Sequence, residues 1–185
     1  MPVVSDVAEQ KIIERMMETN LTKLKGWPGI VFYCPAEQST TPALKQICQD
    51  SLKNLEVLSA QHHVNFHKAR NANDSMLLPH LTGRAKVIID VTATEAGAEP
   101  SAVTGRISVY AHYAHAVNRA TELPQQDGAQ VKHPTLVPQH VDAILWEATV
   151  IKAGSNGLDA LVQPTAKAID EKLNAFFAEY DKANK

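Results

Sequence analysis

Glycine is scarce in this 185-residue chain, with eight in all, and none fall together in a G-x-G-x-x-G or P-loop pattern. The chain therefore offers no backbone cradle for a nucleotide phosphate. There is no G-x-S-x-G turn to expose a nucleophilic serine. Cys-x-x-Cys and His-Glu-x-x-His are absent as well, so no metal-ligand spacing is visible along the chain. Eighteen basic residues face twenty acidic ones, leaving a formal charge of −2. The lysines and arginines are spread singly, so the clustered cations that displace counterions from nucleic acid are lacking. No apolar run approaches the roughly 20 residues of a membrane-crossing helix. Together these absences favour no cofactor, no nucleic-acid partner and no catalytic residue set.

What is present is ordinary material for a buried core. Hydrophobic residues make up 44 % and charged residues 21 %, the composition of a soluble globular chain of one domain. The opening residues lack the basic-then-apolar layout of a signal peptide. That fits either a cytosolic protein or an exported domain whose signal was removed, and the cysteines tilt the expectation towards the exported, periplasmic-type alternative. Cys34 closes an apparent strand and Cys48 lies early in the helix after it. Cysteine is common in cores, so two buried thiols are the expected reading, and the spacing also allows a disulfide.

Periodicity divides the chain into helices and strands. Val7, Ile13, Met16, Met17, Leu21 and Leu24 mark an amphipathic helix from Asp6 to Lys25. Ile30 to Cys34 reads as a buried strand. Thr41-Pro42 then starts a helix striped by Leu44, Ile47, Cys48, Leu52, Leu55 and Leu58. His62 to His67 reads as a second strand, in crossover relation to the first. A short helical turn is expected from Asn73 or Asp74 to Leu78, stopped by Pro79 and Gly83. Ala85–Glu95 and Val103–His112 form an antiparallel hairpin, and Ile144–Lys152 a further strand. The last helix carries Leu158, Leu161, Val162, Thr165, Ile169, Leu173, Phe176, Phe177 and Tyr180 on one face, and either begins near Pro164 or kinks there. Ala116 to Asp142 contains three prolines and no period, so a long irregular loop is expected, with a solvated tail over 181–185. The predicted fold is an α/β (α+β) two-layer sandwich. About three helices pack on one face of a mixed, largely antiparallel sheet of four or five strands.

Strand alternation then sorts side chains into two faces. Val87, Ile89, Val91 and Ala93 share a side with Ile107, Val109 and Ala111, and with Ile144, Trp146, Ala148 and Val150. The opposite side carries Asp90, Thr92, Tyr110, His112 and Glu147, and these five are the candidate binding residues. A polar sheet face can simply be wetted, or it can contact a protein partner or second protomer together with the 116–141 loop. The expected function is therefore a non-enzymatic binding or assembly domain. Eight histidines supply the alternative, a metal- or small-ligand-binding protein or an enzyme without a recognised motif. His63, His67 and His112 share a face by alternation, and neutral imidazoles suit zinc, copper or nickel. Asp90 and Glu147 are the available carboxylates, without a spacing that assigns them acid–base work.

Overall fold

The computed structural model describes residues 23–94, 99–120 and 134–185, and over 113–120 and 134–141 the backbone alone. A five-stranded sheet is ordered β2-β1-β3-β4-β5. Its strands are β1 (Ile30–Tyr33), β2 (Phe66–Lys68), β3 (Ala85–Ala93), β4 (Ser101–Ala120) and β5 (Pro134–Gly154). Three helices pack with it: α1 (Pro42–Gln61), α2 (Ala72–Thr82) and α3 (Val162–Asn184). β1 lies parallel to β2 and β3, and β3, β4 and β5 run antiparallel in turn. The expected class is found, with three helices and a five-stranded mixed sheet, except that the described helices do not all share one face. The expected helix from Asp6 falls outside the described residues as far as Thr22.

The step from β1 to β2 and the step from β2 to β3 cross the sheet in opposite directions. Right-handed connections then put their helices on opposite faces. α1 and α3 accordingly lie side by side on the apolar face, while the short α2 packs against β1, β3 and β4 from the other side. The ring of His80 in α2 meets that of His112 in β4, with centroids 3.4 Å apart.

The apolar face follows the alternation closely. Val87, Ile89, Val91, Val103, Ile107 and Val109 are buried beneath Ile47, Leu55, Ile169, Leu173, Phe176 and Phe177. Gly105 lets α3 come down on β4, since a Cβ there would stand 3.1 Å from Ile169 Cδ1. Gly29 serves a second close approach: a Cβ would meet the Asn65 carbonyl at 2.5 Å. α3 starts at Val162, which puts Pro164 in its first turn, where a missing N–H costs no hydrogen bond. Its far end holds the chain before β1. Tyr180 Oη donates to the Trp27 carbonyl at 2.9 Å, and Asn184 Nδ2 to that of Leu24 at 3.0 Å.

Cys34 and Cys48 are joined in a disulfide with Cα atoms 6.0 Å apart. The bond ties the end of β1 to α1 inside the core, both residues being buried.

Local starts and stops differ from expectation in three places. Thr41 precedes α1 with Pro42 behind it, but its side chain makes no cap; its own N–H is held by Ser39 Oγ at 3.1 Å. α2 is capped by Asn71, whose side chain accepts from Asp74 N at 2.9 Å, and it continues through Pro79 to Gly83. The strand expected from His62 is shorter. α1 runs to Gln61, the His62 N–H bonds back to the Leu58 carbonyl, and His63 turns with φ 55°, so pairing begins only at Phe66.

The largest departure lies in the segment read as an irregular loop. β4 continues to Ala120 and β5 begins at Pro134, and the two remain paired from Ala111↔Ala143 to Ala120↔Pro134. β3 accompanies β4 only as far as Tyr110. The last ten pairs thus form a two-stranded arm beyond the sheet, about 30 Å long at ~3.4 Å per residue. Only residues 121–133 of the expected loop remain outside the described strands.

Candidate interaction face and the root of the arm

Cross-strand pairing places the face opposite α1 and α3 in rows. Thr92, Thr104 and Ile151 form one row, and Asp90, Arg106 and Thr149 the next. Ile88, Ser108 and Glu147 follow, then Lys86, Tyr110 and Ile144, and last His112 with Asp142. All five candidate binding residues therefore lie on one side of the sheet. Asp90, Thr92 and Glu147 are exposed, while Tyr110 and His112 are half-buried at the α2 end.

Phase in β5 is set by an irregularity. Val109 pairs with Trp146 and Tyr110 with Ile144, leaving Leu145 as an extra residue. Such a bulge reverses the side on which every earlier residue falls. Leu145 is buried, and Ile144 is 50 % exposed on the polar side rather than grouped with Trp146, Ala148 and Val150 as strict alternation predicts. Trp146 keeps its place under α3, with its ring 5.5 Å from that of Phe176. Ile151, on the polar side, is 67 % exposed. The face is thus polar with apolar points at both ends.

Charge on this face is largely compensated. Arg106 stands between the two candidate carboxylates, donating from Nε to Glu147 Oε1 and lying opposite Asp90. Its guanidinium is held above its ordinary pKa, chiefly by the Glu147 hydrogen bond, with Asp90 adding a smaller attraction. A carboxylate pair divided by a cation lacks the mutual repulsion that separates an acid from a base.

At the root of the arm, His112 Nδ1 and Asp142 Oδ1 are 2.8 Å apart. An ionised carboxylate only accepts, so the ring donates from Nδ1. That bond holds Asp142 below the usual carboxylate range against the opposing effect of burial, with Lys86 and His80 contributing attraction. Lys86 Nζ lies 5.2 Å from the centre of the Tyr110 ring. α2, β3, β4 and β5 thus meet where the arm leaves the sheet. Sequence reading singled out His112 and Tyr110 of this group but not His80, Lys86 or Asp142. The partner of His112 across the sheet depends on the Leu145 bulge, which no local signal reveals.

The three histidines proposed as metal ligands are held apart. His63 sits in the turn before β2, His67 in β2 and His112 in β4, with β1 and β3 between those strands. At ~4.8 Å per strand, three steps separate His67 from His112 by roughly 14 Å. Alternation puts residues on a common side but says nothing of strand order. Among the described residues no group of three His, Cys, Asp or Glu side chains converges to hold a metal ion. No described helix is long and apolar enough to cross a membrane.

No family model matches the chain, and no curated protein matches it. Among solved structures, that of a PelC dodecamer from Paraburkholderia phytofirmans is similar to it at 12 % identity and a TM-score of 0.44. The similarity covers 79 % of this chain and 89 % of that one. Likeness at this level carries no inference about function.

Proposed function

We propose that the protein is a non-enzymatic binding or assembly domain, working as one unit. It contacts a protein partner or a second protomer through the polar sheet face of β3–β5 and the segment 116–141. The arm is the observation that carries this reading. An isolated two-stranded hairpin is at best marginally stable in water, and this one extends ten pairs past its last neighbouring strand. Among the described residues no further strand pairs with it. A chain that maintains such a ribbon gains stability by setting it against another surface. His112 and Tyr110 stand at its root, and Glu147, Asp90 and Thr92 follow in successive rows away from it on the adjoining face, with Ile144 near the root and Ile151 at the far end as apolar points of contact. The buried disulfide supports a working place in an oxidising compartment, as for an exported protein.

The test replaces residues 112–142 with an Asn-Gly turn joining Ala111 to Ala143. The shortened chain is expected to melt within a few degrees of the intact one, yet to lack the concentration-dependent rise in mass that the intact chain is expected to show in light scattering. A shortened chain that collapses in stability while its association persists would assign the arm to the fold and contradict the reading.

A further inference from the structure

The two edges of the arm differ in their backbone chemistry. Opposed residues of an antiparallel pair either exchange both hydrogen bonds or neither. Proline has no N–H to exchange. Ala116 lies opposite Pro138 and Ala120 opposite Pro134, so these pairs do not exchange bonds, and their backbone groups point away from the partner strand. By alternation the backbone groups of Ala114 and Asn118 of β4 point outward too, as do those of Leu136 and His140 of β5. The outer edge of β4 then offers a donor at each of Ala114, Ala116, Asn118 and Ala120. On the outer edge of β5 two of the four corresponding positions, Pro134 and Pro138, lack one.

Proline and lysine are the usual means of blunting a strand edge against foreign pairing. β5 carries the prolines. β4 from Ala111 to Ala120 has no proline, glycine or lysine, and Arg119 is its one formal charge. Among the described residues nothing pairs with this stretch of β4 beyond β5. One edge is thus closed to pairing and the other open.

We infer that the open β4 edge of the arm pairs antiparallel with the same edge of a second copy of this chain, joining two hairpins into a four-stranded ribbon. This rests on the assembly reading above and specifies its partner. The same residues serve both sides, so the contact closes about a two-fold axis. The strands left outside are the two proline-bearing β5 edges, which stop growth at two copies.

Sedimentation or light scattering of the full chain across a concentration series is the test, with circular dichroism to confirm folding. The wild type is expected to dimerise. Ala116→Pro, which removes an outward donor from β4, is expected to raise the dimer dissociation constant by roughly ten- to hundredfold, since one backbone hydrogen bond is lost from each of the two copies. Ala116→Lys, which keeps the backbone donor, should also weaken it should the proline variant fail to fold. Leu136→Pro, on the β5 edge, should leave it unchanged. A dimer that survives both Ala116 variants but is lost on Thr149→Arg would overturn the edge pairing while keeping assembly through the sheet face. Equal sensitivity to Leu136→Pro and Ala116→Pro would overturn it in favour of head-to-tail pairing. A chain that stays monomeric at every concentration would overturn it and leave the assembly reading to a different protein partner.

Discussion

Residues 101–110 of β4 and residues 111–120 of the same strand share a backbone conformation and little else. The first half has β3 on one side, β5 on the other and α3 across its apolar face. Gly105 admits Ile169, and Val103, Ile107 and Val109 are buried. The second half pairs with β5 alone, and it touches the rest of the fold at its start, where Ala111 is buried and the His112 ring meets His80 of α2. One half belongs to the core and the other to the arm, and the boundary is where β3 begins, at Ala85–Lys86, rather than any feature of β4 itself. Strand identity can therefore propagate by pairing well past the region that packing stabilises.

If that division is right, the core half should break hard. Phe177 is fully buried, stacks on the His62 ring at 4.9 Å and meets Phe176 at 5.2 Å. Phe177→Ala is expected to cost about 3–5 kcal/mol in a denaturant titration. A cost under ~1 kcal/mol would mean that α3 is not seated on the sheet as described. Next in size is the disulfide. It closes a loop with a sequence separation of 14, and the chain-entropy estimate for such a loop is about 3 kcal/mol. The Cys34→Ser, Cys48→Ser double variant should lose stability on that scale, and counting thiols in the denatured, unreduced wild type should find none.

The core half also explains how far sequence reading reached. The stripe from Leu44 to Leu58 and the alternation of Val87, Ile89 and Val91 are local patterns and suffice there, whereas the spacing of Cys34 and Cys48 favours two buried thiols and only the packing of α1 on β1 joins them in a disulfide. Failures came where the deciding contact is distant. Leu145 shifts the phase of β5 because of how it pairs with β4, so Ile144 was placed on the buried side. Pro134 and Pro138 punctuate the sequence like a loop, yet they are tolerated in β5 because their nitrogens face outward on an edge. His67 and His112 look like neighbours until the crossovers set β1 and β3 between them. That Asp90, Thr92, Tyr110, His112 and Glu147 share one side of the sheet is legible from alternation. The paired arm beyond the sheet is not.

The smallest expected effect sharpens the electrostatics of the core half. Burial raises the pKa of Asp170 on α3 above the ordinary carboxylate value, with Asp50 adding repulsion and the Asn54 amide partly offsetting both. A raised folded-state pKa means that the native state binds the proton more tightly than the unfolded chain. The contribution is fully favourable below the unfolded pKa and is lost as pH rises through the folded one. Asp170→Asn should therefore stabilise the protein modestly at neutral pH and change little in acid, read as melting temperature across a pH series. A variant that destabilises at neutral pH would show that the carboxylate is needed where it stands.

Amide hydrogen exchange along β4, followed in dilute and in concentrated protein, tests the division of this strand most directly. The amides that join residues 103–110 to their neighbours should be protected at both concentrations. Those of Ala114, Ala116, Asn118 and Ala120 should exchange freely when dilute and slow as the chain associates. Protection of these four amides in the dilute monomer, or free exchange at every concentration, would contradict an arm that projects from the sheet to meet a second copy.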